Sequence, residues 1–170
     1  PNEVDGDSML PNYETGHLLF TSKLHSWFSG TEFGDSAGLE YKQGDVVVFQ
    51  KPGLEDFVKR IIAVPGDTIS IRDGKYIVNG EILDEDFEIN NVERKDGSFL
   101  RDGGEFKTVP EDHFFVSGDN RDVSFDSRET GIGFVQREWI KGRVIFRFWP
   151  LNKFGYIGAG DFTVVGTVDQ

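Results

Sequence analysis

The sequence predicts a mostly β protein, and three observations carry that expectation. Short segments rich in Val, Ile and Phe recur between Gly, Pro and Asp. The Asp73-Gly74 pair between two such segments is the mark of a two-residue hairpin. No stretch holds a convincing long helical period.

In chain order, the expected strands are residues 45–50, 56–64, 68–72, 75–78, 113–117 and 142–149. Pro65-Gly66-Asp67 closes the second and Asn79-Gly80 the fourth, both as turns. Upstream, residues 15–28 are the best short helical stretch, with Leu18, Leu19, Leu24 and Phe28 loosely spaced. From 84 to 111 charges accumulate, Gly97, Gly103 and Gly104 interrupt, and apolar residues scatter. That stretch reads as a solvated loop or hairpin excursion. No internal repeat or low-complexity tract stands out.

Composition bounds the function. The 170 residues carry 18 Lys and Arg against 30 Asp and Glu, a formal charge of −12. Hydrophobic residues at 37%, together with 21 Gly, place the chain in the ordinary globular range, with apolar material for one sizeable core or two small ones. Strong acidity argues against a nucleic-acid partner, since no basic stripe exists to displace counterions. Apolar runs such as Val46–Phe49 and Ile61–Val64 are four residues long. A membrane-spanning helix needs about 20. With no Cys there is no disulfide frame and no thiolate chemistry, and the redox compartment stays open. The sequence starts at Pro1, so a fragment or processed form is expected, with any targeting or anchoring segment upstream.

No metal site is expected. His17, His25 and His113 are far apart in sequence. The run from Asp119 to Asp126 is acidic like a calcium loop, but counting from Asp122 puts Ser127 where the sixth-position Gly belongs and Gly133 where the bidentate Glu belongs. A Ser-His-Asp triad is open on composition, yet none of the three His sits in a local signature.

Two sites are more telling. Ser8 lies between Gly6 and Pro11 in GDSMLP, and Lys59 lies in an apolar strand pattern with Phe57, Val58, Ile61 and Ile62. Alone, Ser8 reads as a turn serine, and Lys59 as a lysine that pairs with a carboxylate or faces water. Together they suggest a mechanism. A serine hydroxyl needs a base to become a nucleophile. A free lysine, with a pKa of about 10.4, is already protonated and cannot serve. Burial in apolar surroundings disfavours the charge and lowers that value by units. A buried Lys beside a Ser can therefore act as general base without any His.

Four blocks carry a family resemblance: VDGDSMLP at 4–11, QGDVVVFQKP at 43–52, DFVKRIIAVPGDTI at 56–69 and GDNRDVSFDSRETGIGFV at 118–135. IKGRV at 140–144 agrees as well. With these in this order, the chain resembles the catalytic domain of bacterial type I signal peptidases, membrane-anchored Ser-Lys serine proteases. The resemblance implies a signal-peptidase-like β core with a Ser-Lys dyad, formed by about residues 1–67 and 111–150. A smaller inserted β subdomain would occupy 68–110, and 151–170 would be a C-terminal tail. It further implies a serine endopeptidase that removes signal peptides from secretory precursors, on the extracytoplasmic face of the cell membrane and without a cofactor.

By the same resemblance Ser8 would be the nucleophile, Lys59 the general base and the Ser8 backbone N–H an oxyanion donor. Ser124 would hydrogen-bond and orient the Lys59 amine. Asp126 and Arg128 would form a structural ion pair beside the site, with Asp119 close by. Val4, Gly6, Met9, Phe57 and Val58 would line pockets for small substrate side chains. Two positions depart from the pattern: Gly6 stands where some members carry a second, serine oxyanion donor, and Asn12 where Thr is usual. The aromatics, 16 Phe, 4 Tyr and 3 Trp, serve mostly as core. Some of them, with Trp27, Phe28 and Phe33 as examples, are expected to form an exposed apolar patch near Ser8 that meets the lipid surface.

Two rivals remain at this point. Repressor autoproteases of the SOS response share a related Ser-Lys core, but this chain has no Cys, no upstream Ala-Gly bond and no basic domain. An inactive β module that binds extended peptides is the other, and intact Ser8, Lys59 and Ser124 argue against it.

Overall fold

The computed structural model describes residues 2–85, 97–160 and 162–168. In chain order the elements are β1 (Asn2–Glu3), β2 (Leu18–Ser22), α1 (Leu24–Phe28), α2 (Glu32–Ser36), β3 (Val46–Gln50), β4 (Asp56–Ala63), β5 (Thr68–Arg72), β6 (Lys75–Val78) and β7 (Glu81–Glu85). They continue with β8 (Lys107–Thr108), β9 (His113–Ser117), β10 (Val135–Gln136), β11 (Ile140–Trp149), β12 (Gly155–Tyr156) and β13 (Phe162–Thr167). With 39% strand and 11% helix, the protein is mostly β.

The strands form two sheets. An eight-stranded sheet runs β1-β2-β11-β3-β4-β9-β10, with β12 also on β11, and a five-stranded sheet runs β13-β7-β6-β5-β8. Backbone chemistry sets the second sheet. Asp73 and Gly74 adopt φ of 50° and 76°, and Asn79 and Gly80 adopt 52° and 81°. Both pairs are left-handed at consecutive positions, the demand of the primed two-residue turn that matches strand twist. They fold β5, β6 and β7 into a meander with Arg72 opposite Lys75 and Val78 opposite Glu81.

In the first sheet, β3 and β4 pair so that Val47 faces Lys59 and Phe49 faces Phe57. Side-chain alternation then splits the packing. Val47, Phe49, Ile61, Phe114, Val116 and Ile140 join one core cluster, while Val46, Val48 and Val144 join another with Val4, Met9, Tyr13 and Leu19. The second cluster matters for function, because Val4, Met9 and Tyr13 belong to the loop that carries Ser8. Fully burying side chains of this size contributes about 1.5–3 kcal/mol each, so the loop is anchored on both sides of the serine. A third cluster joins Ile62, Ala63 and Phe115 of the first sheet to Ile69, Ile71, Tyr76, Val78 and Leu83 of the second.

Residues 15–28 are not one helix. Leu18–Ser22 is a strand clamped between β1 and β11, and only Leu24–Phe28 is helical. Leu19 is fully buried while Phe20 is half exposed, the alternation of a strand that two leucines in a row had obscured. The charged excursion from 84 to 111 holds β8 and the buried anchors Leu100 and Val109; residues 86–96 of it lie outside the described residues. The stretch 151–170 supplies β12 to the first sheet and β13 to the second.

Candidate active site

The Ser8 loop leaves β1, turns through Gly6 at φ +89° and is pinned to its own return strand by Val4 N–H donating to His17 O and Gly16 N–H to Val4 O, both at 2.9 Å. Lys59 projects from β4 towards it. Its Nζ lies 2.7 Å from Ser8 Oγ and 3.1 Å from the Val58 carbonyl oxygen, and 5.6 Å from the centre of the Phe57 ring. Only 3% of Lys59 is exposed. Burial pulls its pKa from 10.5 down to about 8, against the opposing charges of Asp126 and Asp119 and with help from Arg128. The hydrogen bond reads in either direction: an ammonium donates to Oγ, and a neutral amine accepts the Ser8 proton.

Behind this pair the 118–128 segment forms a dense polar network. Ser124, 1% exposed, accepts from the Gly118 N–H at 3.1 Å and hydrogen-bonds Asp126. Asp126 pairs with Arg128 through Nε on Oδ1 and Nη2 on Oδ2, both at 2.9 Å, and accepts from Ser117 Oγ at 3.0 Å. Burial pushes its carboxyl up, but the Arg128 charge and the hydrogen bonds from Arg128, Ser124 and the Gly118 N–H overcome this and hold it at about 2. Asp119 makes the same two-pronged pair with Arg60, at 2.8 and 2.7 Å, and accepts from Asn12 Nδ2 at 2.9 Å. Asp119 and Asp126 are thus both committed to guanidinium groups in two-pronged pairs.

The structure therefore brings Ser8 and Lys59 together, with Val4, Gly6, Met9, Phe57 and Val58 lining the same cleft of about 640 Å³. Ser124, Asp119, Asp126 and Arg128 are all buried behind it. No His lines the cleft among the described residues: His17 Nδ1 accepts from the Glu14 N–H, His25 meets Arg143, and His113 bonds the Glu111 carbonyl.

Four residues were missed by the sequence reading. Gly118 is one: a Cβ there would lie 2.4 Å from the Ser8 carbonyl oxygen and 2.3 Å from Ser124 Oγ, so only glycine allows this approach. Asn120 is another, donating its N–H to Ser8 O at 3.0 Å and its amide to Asp7 O at 3.1 Å. Arg60 and Asn12, the partners of Asp119, complete the set. The tightly matched GDN block was the available signal, but a motif does not say what each of its members touches.

The aromatic patch needs correction. Trp27 and Phe33 are exposed, yet they sit on α1 and α2, and neither they nor Phe28 line the cleft. The exposed apolar side chains that do line it are Val123 and Phe125. Another apolar surface surrounds a depression of about 530 Å³ lined by Phe20 of β2 and by Ile145, Phe146 and Phe148 of β11, with exposed Phe154 edge-on to the Phe146 ring and exposed Tyr156 of β12 opposite Phe146.

The chain is similar to known proteins along most of its length. Residues 1–149 match the family described as signal peptidase, peptidase S26. The chain is 33% identical over 164 residues to signal peptidase I of Leptolyngbya laminosa, covering 91% of this chain and 71% of that one. It is 34% identical over 166 residues to signal peptidase IB of Staphylococcus aureus, covering 92% and 81%. A crystal structure of a signal peptidase I from Enterococcus faecalis superposes with a TM-score of 0.50 at 30% identity, over 61% of this chain and 96% of that one.

Proposed function

The chain belongs to the signal peptidase family S26 and is a serine endopeptidase that removes signal peptides from secreted precursors, and from that premise we propose that Ser8 and Lys59 carry out the cleavage. The observation that carries this assignment is the 2.7 Å contact between Ser8 Oγ and the Nζ of a Lys59 that burial brings to about 8. The SOS-repressor reading and the inactive-module reading are not favoured by the family match.

The chemistry follows from the proton. Neutral Lys59 takes the Ser8 proton as Oγ attacks the scissile carbonyl carbon. Negative charge develops on the carbonyl oxygen and is met by the Ser8 N–H, which no group among the described residues accepts. The C–N bond then breaks, Lys59 returns its proton to the leaving amine, and an acyl ester remains on Ser8. Water enters, Lys59 deprotonates it as its oxygen attacks the ester carbon, the C–Oγ bond breaks, and Lys59 returns the proton to Ser8 Oγ, freeing the acid and the resting serine. Ser124, fixed by Gly118 and Asp126, is assigned the orienting of the Lys59 side chain from behind, while the hydrogen bonds of Lys59 Nζ itself go to Ser8 Oγ and the Val58 carbonyl. Asp126, Arg128 and Asp119 keep that support rigid.

Val4, Met9 and Val58 offer an apolar floor with room for small side chains, and Gly6 and Phe57 flank it. Extended substrate running along this floor places small residues, typically Ala, at the first and third positions before the cut. The apolar face around Phe20, Phe154 and Tyr156 meets the lipid surface that holds the precursor. Its continuity with the cleft supports this: β1 lines the cleft and pairs through Asn2 and Glu3 with Leu19 and Leu18 of the strand that bears Phe20. No helix among the described residues is long and apolar enough to cross a membrane, and the domain is proposed to work on the extracytoplasmic face. The test is cleavage of a purified secretory precursor. Release of the mature chain by the native protein and none by Ser8→Ala is expected; equal release by both would refute the assignment.

A further inference from the structure

Nucleophile, base and small-residue floor leave one part of the cleft without a role. Val123 and Phe125 line it and are 57% and 44% exposed, although neither is needed to fill a core cluster. Water-facing apolar area of this kind marks a surface that meets something apolar. Phe125 is braced from the core outward: its ring contacts Phe57 at 6.3 Å between centres, and Phe57 stacks on fully buried Phe49 at 5.5 Å. The ring also sits over Gly131, where a Cβ would come within 2.8 Å of Phe125 Cζ. It is a fixed wall.

Its place relative to the cut is constrained by the chain. Phe125 follows Ser124, whose Oγ bonds Gly118, and Gly118 in turn abuts the Ser8 carbonyl. Phe125 also contacts Phe57, two residues before Lys59 on β4. An extended peptide advances about 3.3 Å per residue and turns alternate side chains to opposite sides. With the first and third side chains on the floor of Val4, Met9 and Val58, the second is turned away from it, close to the dyad.

We infer that Val123 and Phe125 form an apolar wall that reads the side chain of the second residue before the cut, favouring a large apolar group there. The inference rests on the peptidase reading above and adds a specificity element to it. The charge of the cleft sharpens it. Glu3, Asp5, Asp7, Glu55 and Asp56 all line the same cleft, and its cationic lining is the buried Lys59. Asp56 is paired with Lys141. An acidic substrate side chain in this cleft would be repelled by the remaining carboxylates, a repulsion that salt screens over ~8 Å at physiological ionic strength.

The experiment uses precursor peptides with Ala at the first and third positions and Leu, Ala, Ser or Glu at the second. The native protein is expected to cleave the Leu peptide with kcat/KM about 5–10-fold above the Ala peptide, with the Glu peptide poorest. In Phe125→Ala the Leu-to-Ala ratio falls to within about twofold, through KM rather than kcat, and Val123→Ser lowers it in the same direction. Phe125→Leu restores it. Reading a ratio within each enzyme cancels any general loss of activity or folding. A ratio near one in the native protein, or an unchanged ratio in both variants, would overturn the wall assignment. If the native protein cleaves none of these peptides, the peptidase reading falls, and the wall with it.

Discussion

Asn120 holds Ser8 from behind, its N–H donating to the Ser8 carbonyl at 3.0 Å while its side-chain amide donates to Asp7 O at 3.1 Å. The 118–128 segment, which carries Ser124 and Asp126, therefore also fixes the backbone of Ser8. Asn120→Ala removes one of these hydrogen bonds and should lower kcat about 3–10-fold with little change in KM, since a single such bond contributes about 1 kcal/mol. Gly118→Ala should be far worse, at about 100-fold or more, because its Cβ would displace the Ser8 carbonyl and Ser124 Oγ together. Steady-state kinetics on one precursor peptide check both, and the two variants showing equal losses would contradict this account of the contact.

The buried pair of Asp126 and Arg128 predicts an acid-labile site. Asp126 is held at about 2, below the ordinary 3.8. A depressed carboxylate contributes stability that is present above its unfolded value and lost as pH falls through the folded one. The loss, about 2 kcal/mol, should fall between about pH 4 and pH 2. Urea unfolding across that window should show a shallower pH slope in Asp126→Asn than in the native protein. At neutral pH Arg128→Met should destabilise by about 3–5 kcal/mol, since it leaves a buried carboxylate without its cation.

Lys59 has the opposite signature. Its folded pKa of about 8 lies below the ordinary 10.5, so the unfolded chain binds its proton more tightly. That costs stability at pH 7, and the cost disappears as pH rises from about 8 to 10.5. Lys59→Met should therefore stabilise the inactive protein by at most about 3 kcal/mol at pH 7, and the gain should shrink towards zero near pH 10.5. A gain that does not depend on pH would mean that Lys59 is not the group being relieved of charge.

The apolar face predicts lipid binding that does not depend on catalysis. A Phe20→Ser, Phe154→Ser, Tyr156→Ser triple variant should lose most of its co-sedimentation with anionic or zwitterionic vesicles, while Trp27→Ser, on α1, should keep it. Retained binding in the triple variant would remove lipid from the roles of this face.

How much of this was legible in sequence depends on whether the signal was local. The Asp73-Gly74 and Asn79-Gly80 turns and the strands they join could be read, because left-handed pairs and β-branched runs are short-range features. Ser8 and Lys59 could be nominated together because a buried lysine gives a serine its base. The partners of Asp119 were not legible: Arg60 and Asn12 come from different loops and strands, and only the fold brings them to one carboxylate. For the same reason the strand at Leu18–Ser22 was missed, since its evidence is pairing with β11 far along the chain. Which aromatics stay in water was also a tertiary matter, and Phe125 rather than Trp27 borders the cleft.

The most direct test of a neutral Lys59 as general base is the pH dependence of kcat/KM, which reports ionisation in the free enzyme. The structure predicts a rate that rises with pH with an apparent pKa near 8, the value to which burial brings Lys59. Lys59→Arg should be inactive throughout, because a guanidinium keeps its proton at every working pH. A profile flat from pH 6 to pH 10, or a limb near 6.5 that vanishes in a His17, His25 or His113 variant, would contradict the dyad.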